Sequence, residues 1–205
     1  MIAHRFRAAA VALAVVASSA CGVTRPARFY TLEAVAPPTD TPASSYGVSY
    51  GVSVGPVTVP PALDRPQLVV QVAPNRVEID EFNRWAAPLP DAIAATVAAN
   101  LATLLGTPDV VAGAGAPFAV THIVTLAVQR FTSVPGKEAA VDVVWSVRPT
   151  SGGAARSDRT VAREPVDGPD VDALAAAHSR ALAKVSAAVA AAIRASNGAR
   201  SAGRR

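Results

Sequence analysis

The sequence predicts an α+β fold, a two-layer sandwich with two long helices on one face of a mostly antiparallel sheet of about five strands. Three observations lead there. Two segments, within residues 80–105 and 170–196, carry apolar residues at helical spacing. Between and before them, runs of valine and isoleucine alternate with polar residues, as strands do. The links between these runs are short and rich in Pro and Gly, which suits hairpins.

In chain order, Arg5 and Arg7 precede an unbroken apolar run over residues 8–17, followed by Ser18, Ser19, Ala20 and Cys21. A basic start, an apolar middle and a small-residue end are the parts of a secretory signal. As a helix the apolar run would rise about 15 Å, roughly half a hydrocarbon core, so it is too short to span a bilayer. Residues 1–20 therefore read as a signal peptide. The placement of Cys21 directly after the small residues resembles a bacterial lipobox, with Cys21 as the lipid attachment site. The usual Leu three residues before the cysteine is replaced by Ser18. The competing reading is an ordinary signal cut after Ala20, leaving a free cysteine.

Cys21 is the only cysteine, so no intramolecular disulfide can staple the domain. The formal charge of +4 and the pI near 9.8 come from the chain ends. Arg5 and Arg7 leave with the signal, and Arg200, Arg204 and Arg205 lie in a basic, disordered tail over residues 199–205. Without these five, the body is close to neutral and lacks the basic face that nucleic-acid binding requires.

The run Phe29-Tyr30-Thr31-Leu32 is β-prone. It starts eight residues after Cys21, so docking of this run would hold the domain within about 25 Å of a lipid anchor. Residues 33–47, rich in Pro, Ser, Thr and Ala, form either a spacer or a loop, and residues 21–49 group as the lipidated N-terminus, short strand and linker. A single domain follows over residues 50–198. Val52, Val54, Val57 and Val59 make a strand whose Gly55-Pro56 break suggests a bulge or an edge position. Residues 62–66 are a proline-bounded loop. Residues 68–72 and 76–79 form a hairpin about Pro74-Asn75, with Val77 and Ile79 expected on its buried face.

Leu89, Ile93, Val97, Leu101, Leu104 and Leu105 form one stripe of a helix that Asp91 suits at its start and that Gly106 and Pro108 end. Val110-Val111 is a short strand, and residues 120–131 and 139–147 are the two longest. Val141, Val143, Trp145 and Val147 share one face of the second, while Asp142, Val144 and Ser146 take the other. Residues 156–163 read as a polar edge strand. Asp170 is the expected N-cap of a last helix with its stripe at Val171, Leu174, His178, Leu182, Val185, Val189 and Ile193, and Asn197-Gly198 is the expected stop.

Chemistry-bearing patterns are few. Beyond the signal there are two histidines, His122 and His178, neither with Cys, Asp or Glu at ligand spacing, and both read as packing residues. Asp80-Glu81 beside Arg84 reads as a solvated turn, and Trp85 is more simply core than a ligand platform. The Gly113-Ala114-Gly115 segment lacks the third glycine and following helix of a phosphate loop. No catalytic, cofactor or metal site is predicted, and the chain is not expected to be an enzyme.

Two local sequences stand out: Leu63-Asp64-Arg65-Pro66, and Asn83-Arg84-Trp85-Ala86-Ala87-Pro88-Leu89. Together with the strand ending Val128-Gln129-Arg130-Phe131, the VVWSV strand and the alanine-rich closing helix, they resemble the PqiC-type ABC transport auxiliary lipoproteins. Members tend to have Glu where this chain has Ala87, so no role for that carboxylate carries over. The resemblance implies a lipoprotein of the outer membrane facing the periplasm. It implies work with an MCE-domain protein and an inner-membrane ABC transporter in lipid transport and membrane integrity. A partner with rotational symmetry would favour a homo-oligomeric ring. Asp64, Arg65, Arg84 and Trp85 are the partner-contact candidates, weighed against a purely structural role in bracing the loops around the first helix. Two other readings are an activator of a cell-wall synthase and a periplasmic hydrolase. The hydrolase would need a Ser or Asp converging on His122 or His178.

Overall fold

The computed structural model describes residues 25–36 and 50–202, with side chains to residue 196. The signal, Cys21, the linker beyond residue 36 and residues 203–205 lie outside it. In order the chain forms β1 (Arg28–Tyr30), β2 (Val52–Thr58), a 3-10 turn (Pro61–Leu63), β3 (Gln67–Ala73) and β4 (Arg76–Trp85). Helix α1 (Leu89–Leu105), β5 (Val110–Ala112), β6 (His122–Val134), β7 (Glu138–Pro149), β8 (Arg156–Pro165) and helix α2 (Val171–Ala202) follow.

The α+β class and the two helices are as expected, but the sheet is not one mostly antiparallel layer. There are two mixed sheets, one of order β5-β2-β6-β7-β8 and a smaller one of order β1-β4-β3. β2 runs parallel to both β5 and β6, and β1 runs parallel to β4. The physical reason is the crossover: α1 lies between β2 and its partners in sequence, and a helical crossover returns the chain parallel. β2 is thus interior rather than an edge, and its Gly55-Pro56 break is a bulge in the pairing with β6. Gly51, at its start, is packed so closely on Ala119 that a Cβ would lie 2.0 Å from that carbonyl oxygen.

Both apolar stripes face the core as read, with Val171 at the start of α2 only partly buried. Leu89, Ile93, Val97, Leu101, Leu104 and Leu105 of α1, and Leu174, His178, Leu182, Val185, Val189 and Ile193 of α2, all lie in the core. α1 covers β2 and β5, α2 covers β7 and β8, and the helices pack on each other. Gly106, at φ 66°, caps α1 in the left-handed conformation, and Thr107 N–H donates to the Ala102 carbonyl. The Asp170 carboxylate accepts from Ala173 N–H at 2.8 Å, the N-cap expected of it. α2 does not stop at Asn197-Gly198 but continues to Ala202.

The hairpin departs most from expectation. β4 runs to Trp85, well past Ile79, and Asp80-Glu81 is strand rather than turn. Gln67 faces Arg84 while Leu68 faces Asp80, so Glu81, Phe82 and Asn83 bulge out between them. Asp80 pins the bulge, accepting from Phe82 N–H, Asn83 N–H and the Asn83 side-chain amide. Val77 and Ile79, expected to be buried, are 59% and 43% exposed. The alternation is present, but the hairpin extends beyond the core that would have covered them.

Candidate functional site

The distinctive Asn83–Leu89 stretch is the joint where the small sheet meets α1. The Asn83 side-chain oxygen accepts from the Tyr30 hydroxyl at 3.0 Å. Trp85 N–H donates to the Pro66 carbonyl and Ala86 N–H to the Tyr30 carbonyl. Pro88 occupies the N-cap position and Leu89 is already core. One short segment therefore fixes β1, the 62–66 loop, β4 and α1 relative to one another.

Of the partner-contact candidates, Asp64 is exposed, while Arg65 and Arg84 are half-buried. The Pro66 bond and the Gln67–Arg84 pairing bring the two loops side by side. Arg84 Nε donates to the Glu81 carbonyl, bracing the bulge. Trp85 does not belong to this surface. It is 5% exposed, edge-on to Phe131 at 6.0 Å and to His178 at 6.4 Å. Its indole is core, which corrects its place among the partner-contact candidates; the large apolar ring is drawn inward where β4 ends against β6 and α2.

Residues 31–36, read as strand end and linker, instead form a strap across the helices. Polar side chains set into otherwise apolar helix faces hold it. Thr96 Oγ1 donates to the Leu32 carbonyl, Ser179 Oγ accepts from Glu33 N–H, and Asn100 Oδ1 accepts from Ala36 N–H. All three helix residues are buried. Strap and α2 enclose a groove of about 610 Å³ lined by Phe29, Val35, Ala175 and Ala176, with Arg180 at its rim. Sequence reading missed the strap because an extended segment has no periodicity. The one available signal was the placement of Thr96, Asn100 and Ser179 on helices otherwise lined with alanine.

Both histidines are fully buried. His122 is held between Thr121 Oγ1 and Ser196 Oγ, each 2.9 Å away. His178 stacks on Phe131 at 3.8 Å and shares a 2.8 Å hydrogen bond with Ser133. These are Ser–His pairs of the kind a hydrolase needs, yet the His178 pair is sealed in the core and no carboxylate orients its Nδ1. The Ser133–His178 pair packs the core, whereas Ser196, beside the buried His122, is half-buried. Gly113, from the glycine pair, donates its N–H to the Val54 carbonyl and serves β2. Among the described residues no group of three or more His, Cys, Asp or Glu is placed to hold a metal ion, and no helix is long and apolar enough to cross a membrane.

Burial lowers the His178 pKa to about 3. The unfolded chain, near 6.5, therefore takes up the proton first, and stability is full above that pH and lost as pH falls toward 3. One such proton contributes a slope of about 1.4 kcal/mol per pH unit. Below about pH 4.5 three carboxylates join in; burial pushes Asp80 up, but its hydrogen bonds with Asn83 and Phe82 outweigh it and leave it lowered. The hydrogen-bonded Arg159 guanidinium holds Asp142 below its ordinary value. Burial pushes Glu164 up, but Lys184 and Arg180 outweigh it and leave it lowered. Urea midpoints measured from pH 7 to 4.5 should fall in the native chain and flatten markedly in His178→Gln. Parallel curves for the two would refute this assignment.

The family model for the ABC-type transport auxiliary lipoprotein component matches residues 30–190. A crystal structure of protein XCC0632 from Xanthomonas campestris, of the DUF330 family, superimposes with a TM-score of 0.65 at 19% identity, covering 80% of this chain and 93% of that one. A second crystal structure, of an uncharacterized protein, gives 0.66 at 19% identity, covering 82% and 99%. At that identity the likeness concerns the fold alone. No curated protein matches the chain.

Proposed function

Because this chain belongs to the ABC-type transport auxiliary lipoprotein components, the PqiC-type family, we propose that it is the outer-membrane subunit of a trans-envelope MCE/ABC lipid-transport system. The family is one of membrane-anchored lipoproteins that serve as auxiliary components of ABC-type transport. The match across residues 30–190, nearly all of the folded body, is the observation that carries the reading. In this role the lipid on Cys21 holds the domain at the outer membrane, and the domain docks an MCE-domain protein that leads to the inner-membrane transporter. Three acyl chains on one cysteine give the stable anchoring that a single chain does not. Asp64, Arg65 and Arg84 are the proposed contact residues, two on the 62–66 loop and the third at the end of β4 in the Asn83–Leu89 joint.

Crosslinking of the lipidated chain in intact cells, followed by affinity capture and mass spectrometry, tests the proposal. Recovery of an MCE-domain protein and an ABC permease is expected, with Arg84→Glu reducing the yield. Capture of cell-wall synthases instead would replace this reading with the synthase-activator one.

A further inference from the structure

Eight large apolar residues are exposed among the described residues, and five of them, Phe29, Val72, Val77, Ile79 and Phe82, belong to the three-stranded sheet. Register places Val77 and Ile79 on one face, whereas Val72, unpaired near the tip, alternates with Gln71. Leu68 is buried and Val70 packs against the core, so the alternate pairs Val69–Ile79 and Gln71–Val77 face outward. Phe29, paired with Arg84, shares that outward face.

Direction matters as much as composition. β1 is parallel to β4, with Arg28 opposite Asn83. The chain before Arg28 therefore arrives from the side toward which the hairpin tip projects. Arg25 sits 5.9 Å over the Phe82 ring, partway along that hairpin. Four residues separate Arg25 from Cys21, a tether of at most about 14 Å. Phe82 is five positions after Val77, at most about 16 Å of strand in the same direction. A tether of that length is long enough for a lipid on Cys21 and the hairpin tip to meet one membrane surface.

We propose that the β3–β4 hairpin is a second membrane contact, its Val77 and Ile79 side chains seated in the lipid surface to which Cys21 is attached. The inference rests on the anchor reading above and adds the orientation of the domain. Exposed Arg25, Arg28 and Arg76 lie along the same approach and suit lipid phosphates. Exposed apolar side chains flanked by cations suit an interfacial element, although exposed Glu78 and Glu81 share the hairpin.

The test uses the full mature lipoprotein in nanodiscs, its acylation first confirmed by intact mass. An environment-sensitive fluorophore is attached at Val77→Cys and, as a control, at Ala154→Cys in the turn after β7. Lipidation removes the Cys21 thiol, so each variant has a single labelling site. Emission at position 77 is expected to shift to the blue and to be quenched by doxyl-labelled lipids, with neither effect at position 154. A water-like, unquenched label at 77 would overturn the inference. A blue-shifted label that doxyl lipids do not quench would also overturn it, because a protein, such as a second copy of this chain, would then be covering the hairpin. A protein without acyl mass would sink the anchor reading itself, a failure distinct from either.

Discussion

Trp85→Ala is expected to lower the folding free energy by roughly 3–5 kcal/mol, the cost of removing a large aromatic from a packed core. The indole is almost wholly buried between Phe131 and His178, themselves stacked face to face. Its removal would leave a cavity where β4, β6 and α2 meet, and that junction attaches the small sheet to the large one. The same truncation would loosen the backbone bond from Trp85 N–H to the Pro66 carbonyl. Trp85→Phe should recover part of the loss by refilling the cavity without restoring the full ring. Arg84→Ala, one residue earlier and half-buried, should change stability by less than about 1 kcal/mol. Urea denaturation of the three variants decides the matter. A Trp85→Ala protein with a native midpoint would mean that the indole is a surface feature after all.

The helices were legible because both halves of a helix signal were present. Spacings of three and four gave the faces, and Asp170, Gly106 and Pro108 gave the ends. Asn197-Gly198 misled because αL-capable residues permit a helix to stop without compelling it. The hairpin misled for a different reason. Alternation in Val77 and Ile79 shows which side chains share a face, but only tertiary contact decides whether that face is covered. β4 was cut short because Asp80, Glu81, Asn83 and Arg84 look like a loop, and a bulge is what lets a strand carry them. The parallel pairing of β2 with β5 and β6 was available in principle, since a strand, a helix and a strand in sequence favour a parallel return. It was obscured by the hairpin inserted between β2 and α1.

The candidate surface was half legible. Asp64, Arg65 and Arg84 do adjoin, but the sequence could not separate the inward Trp85 from the half-buried Arg84 next to it. The pairing of Ser133 with His178 spans 45 positions and that of His122 with Ser196 spans 74, and no local pattern announces either. Ser133 and the half-buried Thr121 and Ser196 pair with ring nitrogens that the core would otherwise leave costly, while His178 Nδ1 has no partner.

Cys21→Ser is expected to fold with an unchanged denaturation midpoint, to leave the membrane fraction and to abolish any transport function that depends on the anchor. The folding half of the expectation follows from position. Cys21 precedes β1 by several residues, and the contacts that secure β1 are made by Tyr30 with Asn83 and Ala86. The localisation half follows from the remainder of the chain, where no described helix can cross a bilayer and the hairpin offers only a few apolar side chains. Such a patch can orient an anchored domain, yet without the acyl chains it would give marginal, reversible binding at best. Fractionation after a high-salt wash, read beside the midpoint, separates the possibilities. A soluble, folded variant supports anchoring through Cys21, whereas a folded variant still retained in the membrane would transfer the anchoring role to the hairpin or to a protein partner.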